Sequence, residues 1–185
     1  LREGKGKRNI ILVGFMGTGK TVVGEALARR LGWRFVDMDE EIIRETGLTI
    51  PKIFDNRGEP FFRSLEKKAL RDYCRGREQV IAAGGGAICD PDNLAMMREA
   101  ADVVCLTAPE AVLAERLQGD RSRPLLSGPD REKAIAELLE ARAVHYRKAD
   151  LTVDTSGATP DEVAWEILNH LFRDSSAAGG EDLED

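Results

Sequence analysis

The eight residues Gly14-Phe15-Met16-Gly17-Thr18-Gly19-Lys20-Thr21 constrain this chain more than any other segment. They satisfy G-x-x-x-x-G-K-[ST], a spacing that functions where a strand runs into a helix. Glycine lets the backbone N–H groups of Gly17, Thr18 and Gly19 turn inward around phosphate oxygens. The helix that follows adds the positive end of its dipole. Lys20 reaches toward outer phosphates, and the Thr21 hydroxyl is a hard oxygen ligand suited to Mg²⁺. The segment therefore predicts a site for a nucleoside triphosphate together with magnesium.

The flanking pattern agrees. Asn9 to Val13 is a short β-rich run that ends at glycine, and Thr21 to Leu31 reads as a helix with Val22, Ala26, Leu27 and Leu31 on its apolar face. Gly32 closes that helix. Further strands are expected at Arg34–Met38, Gln79–Ala83, Asp102–Leu106 and Leu151–Asp154. Helices are expected at Asp90–Ala100, Pro109–Gln118, Arg131–Lys148 and Pro160–Phe172. Residues 40 to 74 read as mostly helical, with breaks near Gly47–Pro51 and Gly58–Pro60. Strands alternating with helices predict an α/β fold with a parallel sheet covered on both faces. With 185 residues, one domain is expected, from residue 1 to 173. The stretch Gly119–Pro129 reads as a mobile loop of lid type, and the Ser-, Gly- and acid-rich tail 174–185 is expected to lie outside the fold as disordered chain.

Composition excludes several classes. A net charge of −6 argues against general affinity for nucleic acid or an anionic membrane. There is no long apolar run of transmembrane type, and basic Leu1–Arg8 is not followed by a signal-peptide pattern. Cys74, Cys89 and Cys105 have neither zinc nor disulfide spacing, and Cys105 lies in an apolar run as a core residue. A cytoplasmic location is the resulting expectation.

Switch GTPases, ATPases and small-molecule kinases all use such a phosphate loop. Asp55-Asn56-Arg57-Gly58 matches the letters of a GTPase switch, but a poor strand precedes it and no N-K-x-D segment exists. A large motor ATPase needs more chain. Asp37-Met38-Asp39 follows the second strand, and residues two apart on an extended chain point the same way. One carboxylate can then hold water around Mg²⁺, while the other grips a substrate hydroxyl and accepts its proton. Read alone, the pair also suits a solvated helix start. Glu66, three residues after Arg63 on one helix face, can hold that guanidinium in place.

The loop, Asp37-Met38-Asp39, Phe62-Arg63-Ser64-Leu65-Glu66, Gly84-Gly85-Gly86, Arg123-Pro124-Leu125-Leu126, and Arg142 with Tyr146 occur in one order from about Asn9 to Phe172. That series resembles the shikimate kinases. The resemblance implies a P-loop fold of nucleoside monophosphate kinase type, with a five-stranded parallel sheet in the order 2-3-1-4-5. It implies transfer of the γ-phosphoryl of ATP to the 3-hydroxyl of shikimate, with Mg²⁺ as cofactor; a monomer is expected. By the same resemblance, Asp39 binds the ring hydroxyls and is the candidate base, and Asp37 is an indirect magnesium ligand beside Thr21. Arg63 and Arg142 clamp the substrate carboxylate, while Gly85 and Gly86 present backbone to the substrate. Arg123 is the lid arginine on the ATP phosphates, with Lys20, and Arg116 lies where adenine is sandwiched. Gluconate or nucleoside monophosphate kinases, and a nucleotide-binding module without catalysis, are the alternative readings.

Overall fold

The computed structural model describes residues 9–120, 122–126 and 130–172. The expected tail 174–185, the N-terminal Leu1–Arg8 and part of the expected lid lie outside the described residues. Five parallel strands form one sheet in the order β2-β3-β1-β4-β5. They are β1 (Asn9–Gly14), β2 (Arg34–Asp37), β3 (Gln79–Ala82), β4 (Ala101–Thr107) and β5 (Leu151–Asp154). The helices are α1 (Lys20–Leu31), α2 (Met38–Thr46), α3 (Ile50–Cys74), α4 (Pro91–Ala100), α5 (Glu110–Arg116), α6 (Arg131–Tyr146) and α7 (Pro160–Phe172).

Strand alternation builds two cores. Ile11 and Val13 face one apolar cluster, while Ile10 and Leu12 face the other, so β1 is buried throughout. A strand covered on both faces reads as a continuous apolar run, as Ile10–Val13 does. Cys105 sits in the first cluster with no exposed surface, as expected of a core residue. Helices α1 and α7 cover the second cluster, and α3, α4 and α6 contribute to the first.

Helix boundaries differ from the sequence reading in two informative places. β2 stops at Asp37 and Met38 already belongs to α2, so Asp37 and Asp39 are not both on an extended strand. The Asp37 side chain caps α2, accepting from the backbone N–H groups of Asp39 (3.0 Å) and Glu40 (3.4 Å). Capping of those orphan amides wins over continuation of the strand. In α1 the buried face is Val23, Ala26, Leu27 and Ala28, whereas Val22 is 49% exposed. The helix is rotated because the loop before it fixes its first turn. The expected breaks are present: Gly47 ends α2 with a left-handed backbone, and Gly58 (φ 77°) kinks α3 ahead of Pro60. Asp55–Gly58 lies within α3, so it is no GTPase switch. Among the described residues, no helix is long and apolar enough to cross a membrane.

Candidate active site

The site gathers at the C-terminal ends of the strands, where open α/β sheets bind ligands. Gly14 ends β1 with φ 134°, and a Cβ there would meet the Leu106 carbonyl of β4 at 2.2 Å. Only glycine lets the loop leave so close to its neighbour. The buried Thr18 donates to the Phe15 carbonyl through both its hydroxyl (2.7 Å) and its backbone N–H (3.4 Å), and so closes the turn of the loop. Lys20 Nζ donates to the Gly14 and Phe15 carbonyls, each at 3.0 Å. Burial lowers the Lys20 pKa to about 8, with Asp39 and Asp37 opposing that fall and Arg123 adding to it.

Thr21 Oγ1 donates to Asp37 Oδ2 at 2.8 Å, so helix α1 and the end of β2 meet at two hard oxygen donors. Among the described residues, no group of three or more His, Cys, Asp or Glu side chains surrounds a metal position. This donor set fits Mg²⁺, which keeps several waters and takes phosphate ligands rather than an all-protein cage.

A cleft of about 640 Å³ extends from the phosphate loop and is lined by Asp37, Asp39, Arg63, Gly84–Gly86, Arg116, Arg123 and Arg142. With the phosphate loop itself, the predicted residues are therefore brought together from seven separate stretches of chain. Arg63 on α3 donates through Nη1 to Glu66 Oε2 (2.9 Å), as the i,i+3 spacing suggested. It also donates through Nε (3.1 Å) and Nη2 (2.9 Å) to Glu59 Oε1, a partner the sequence reading missed. The signal was available, since Glu59 precedes Arg63 by four on one helix. Burial opposes the Arg63 charge, but Glu66 and Glu59 outweigh it and raise its pKa. Glu66 is 1% exposed, and burial raises its own pKa against the pull of Arg63.

The glycine triplet has a packing reason that the sequence reading did not include. A Cβ on residue 84 would lie 1.9 Å from Glu66 Oε1, and one on residue 86 would lie 2.7 Å from Arg63 Nη2. Two of the three glycines thus make room for the Glu66–Arg63 pair itself. Arg142 on α6 is buried, with its guanidinium carbon 5.9 Å from the Phe15 ring centre. Arg123 Nη1 donates to Asp39 Oδ2 at 2.9 Å, joining the segment after α5 to the first turn of α2. Arg116 donates to the Gly17 carbonyl (3.2 Å) and to Thr155 Oγ1 (2.9 Å) and its carbonyl (2.8 Å). Sequence gave no sign of Thr155, because β5 and α5 meet only in the folded sheet.

Comparison with known proteins now decides between small-molecule kinases. The shikimate kinase family model matches residues 16–172. The chain belongs to the shikimate kinase family. It is 48% identical over 164 residues to the shikimate kinase of Geobacter sulfurreducens, covering 89% of this chain and 91% of that relative. The solved shikimate kinase of Acinetobacter baumannii in complex with shikimate superposes with a TM-score of 0.89 at 38% identity, covering 93% of this chain and 97% of that one. The Aquifex aeolicus shikimate kinase gives a TM-score of 0.76 at 38% identity, covering 93% and 99%. The activity follows from membership: the family's ATP-dependent phosphotransfer to the 3-hydroxyl of shikimate, giving shikimate 3-phosphate and ADP on the way to aromatic amino acids. The gluconate, nucleoside monophosphate and non-catalytic readings are set aside.

Proposed function

We propose that this chain performs the family reaction with the residues of the cleft in the following roles. The single observation that carries the assignment is the convergence of two guanidinium groups, Arg63 and Arg142, and one carboxylate, Asp39, in one cleft beside the phosphate loop. A small acid bearing hydroxyls matches that set: planar guanidinium forks suit its carboxylate, and Asp39 suits its hydroxyl.

Arg63 and Arg142 fix the shikimate carboxylate, and Gly85 and Gly86 offer backbone groups to the ring substituents. Asp39 orients the 3-hydroxyl and receives its proton as the oxygen attacks the γ-phosphorus. The backbone N–H groups of Gly17, Thr18 and Gly19 hold ATP phosphates. Lys20 and Arg123 balance the charge that spreads over the transferring phosphoryl group. For Arg123 this requires moving from Asp39 to phosphate, which frees the carboxylate for the hydroxyl. Arg116 flanks the adenine. Thr21 directly, and Asp37 through water, would hold Mg²⁺, which when bound supplies charge neutralisation at the phosphate oxygens. Most of the acceleration comes from positioning and fixed charge. Every group invoked comes from one copy of the chain, so a monomer suffices, with residues 119–130 as its lid.

The test is an acceptor panel. Purified protein with MgATP is offered shikimate, gluconate and nucleoside monophosphates while ADP release is followed. Turnover is expected with shikimate; turnover with another acceptor beside none with shikimate overturns the assignment. Omitting Mg²⁺ is expected to abolish ADP release, and full activity with excess chelator removes the metal from the proposal.

A further inference from the structure

The turn after β3 has one carbonyl whose partner comes from far away. Within the turn, the Gly84 carbonyl accepts from Ala87 N and the Gly86 carbonyl accepts from Cys89 N, each at 3.0 Å. The Gly85 carbonyl instead accepts from the Tyr146 hydroxyl at 2.7 Å, across 61 positions of sequence. Tyr146 is the last residue of α6 and is 8% exposed. Burial pushes its phenol pKa well above the usual value, so the hydroxyl remains a donor throughout the working pH range.

Tyr146 follows Arg142 by four residues, so both side chains leave one face of α6. That face meets Gly85. A Cβ on residue 85 would find Gly14 O at 3.1 Å, Arg142 Nη1 at 3.4 Å and Met16 N at 3.7 Å. One residue thus touches the phosphate loop, the second guanidinium and the tyrosine. The peptide joining Gly85 to Gly86 is planar and trans, so its C=O and N–H point in opposite directions. Holding the Gly85 carbonyl against α6 therefore directs the Gly86 N–H away from α6.

We propose that Tyr146 is a positioning residue for the acceptor: its hydroxyl locks the Gly85–Gly86 peptide and sets the register of that turn against Arg142. It touches neither substrate. Its effect reaches shikimate through the backbone of Gly85 and Gly86 and through Arg142, and so rests on the placement of shikimate proposed above. ATP is placed by the N–H groups of the phosphate loop and by Arg116 on α5, which Tyr146 does not bond, so its KM moves far less.

The experiment compares Tyr146→Phe, which keeps the ring and removes the donor, with Ile135→Val, which loosens the α6 core near neither glycine, and with Arg142→Ala. Shikimate and ATP KM, kcat and the melting temperature are measured for each. For Tyr146→Phe the shikimate KM is expected to rise about five- to tenfold, the loss of one hydrogen bond, with the ATP KM within about twofold of wild type. Ile135→Val is expected to lower the melting temperature without raising the shikimate KM. If Tyr146→Phe loses melting temperature but keeps the shikimate KM while Arg142→Ala raises it, Tyr146 is only structural and the proposal is wrong. If Arg142→Ala also leaves the shikimate KM unchanged, the placement of shikimate itself is wrong, and the proposal falls with it. Equal rises in both KM values for Tyr146→Phe also overturn it, since the hydroxyl would then serve the whole cleft.

Discussion

Arg63 is oriented by Glu66 on one side and Glu59 on the other, so its fork is set before any ligand arrives. A pre-set guanidinium loses little freedom on binding a carboxylate. Arg63→Ala is therefore expected to raise the shikimate KM by roughly ten- to a hundredfold, the range for a charged hydrogen bond, and the ATP KM by far less. Equal effects in steady-state kinetics would remove Arg63 from the carboxylate role. Lys20 carries a pH signature. Its pKa is lowered to about 8, first by burial, and anionic phosphates beside it raise that value when ATP binds. Below about pH 8 the ammonium is already charged and binding takes up no proton. Above it, each ATP bound draws one proton, and affinity falls toward tenfold per pH unit. Calorimetry at about pH 9 in two buffers of different ionisation enthalpy reads that uptake directly. An uptake near zero there contradicts the lowered pKa. The same linkage makes the fold gain stability from Lys20 as pH rises above about 8, because the unfolded chain then binds the proton more tightly. The residue types of the cleft were legible in sequence because each sits in a short motif. Tyr146 on Gly85 and Arg116 on Thr155 were not, because those bonds span 61 and 39 positions and no local spacing encodes them.

At the scale of elements, Asn9 joins three of them. The buried side chain accepts from Gln79 N at 3.1 Å and donates to the carbonyls of Gly76 (2.9 Å) and Ala100 (3.4 Å). It thereby fixes the starts of β1, β3 and β4 relative to one another. Asn9→Ala leaves three backbone groups short of a partner and is expected to cost about 1–3 kcal/mol of stability by denaturant melts, with both KM values unchanged. A shift in either KM would show that strand register reaches the cleft. The elements themselves were largely readable, since glycine and proline punctuate them and apolar periodicity marks the rest. Their ends were less so. Met38 is apolar and extends the β pattern by its letter, yet Asp37 captures two amides and starts α2 there. The outcome also changes why the two aspartates serve one cleft. Asp37 is the helix cap tied to Thr21, and Asp39 lies in the first turn of the same helix, tied to Arg123. Val22 is apolar and exposed at the cleft because the phosphate loop, rather than the apolar pattern, sets the rotation of α1.

For the molecule as a whole, the sheet is the shared wall of both cores, and β1 contributes alternate side chains to each. Neither core can melt without exposing the other's wall. A single cooperative transition is expected by scanning calorimetry, and MgATP at a hundred times its Kd is expected to add about 2.7 kcal/mol of stability. Two resolved transitions would show that the faces unfold separately. The strand order was available from family resemblance; composition and periodicity gave only the alternation, since pairing partners are not written into a strand's own residues. That order has a consequence for synthesis. β1 and the phosphate loop are translated before both neighbours that flank β1, β3 and β4, and Asn9 pairs with Gln79, 70 positions later. The strand waits unpaired, its apolar edges open, until that later chain has emerged. The phosphate loop is thus translated long before the two strands that hold it in place, and nucleotide is expected to gain a binding site only once β4 has joined the sheet.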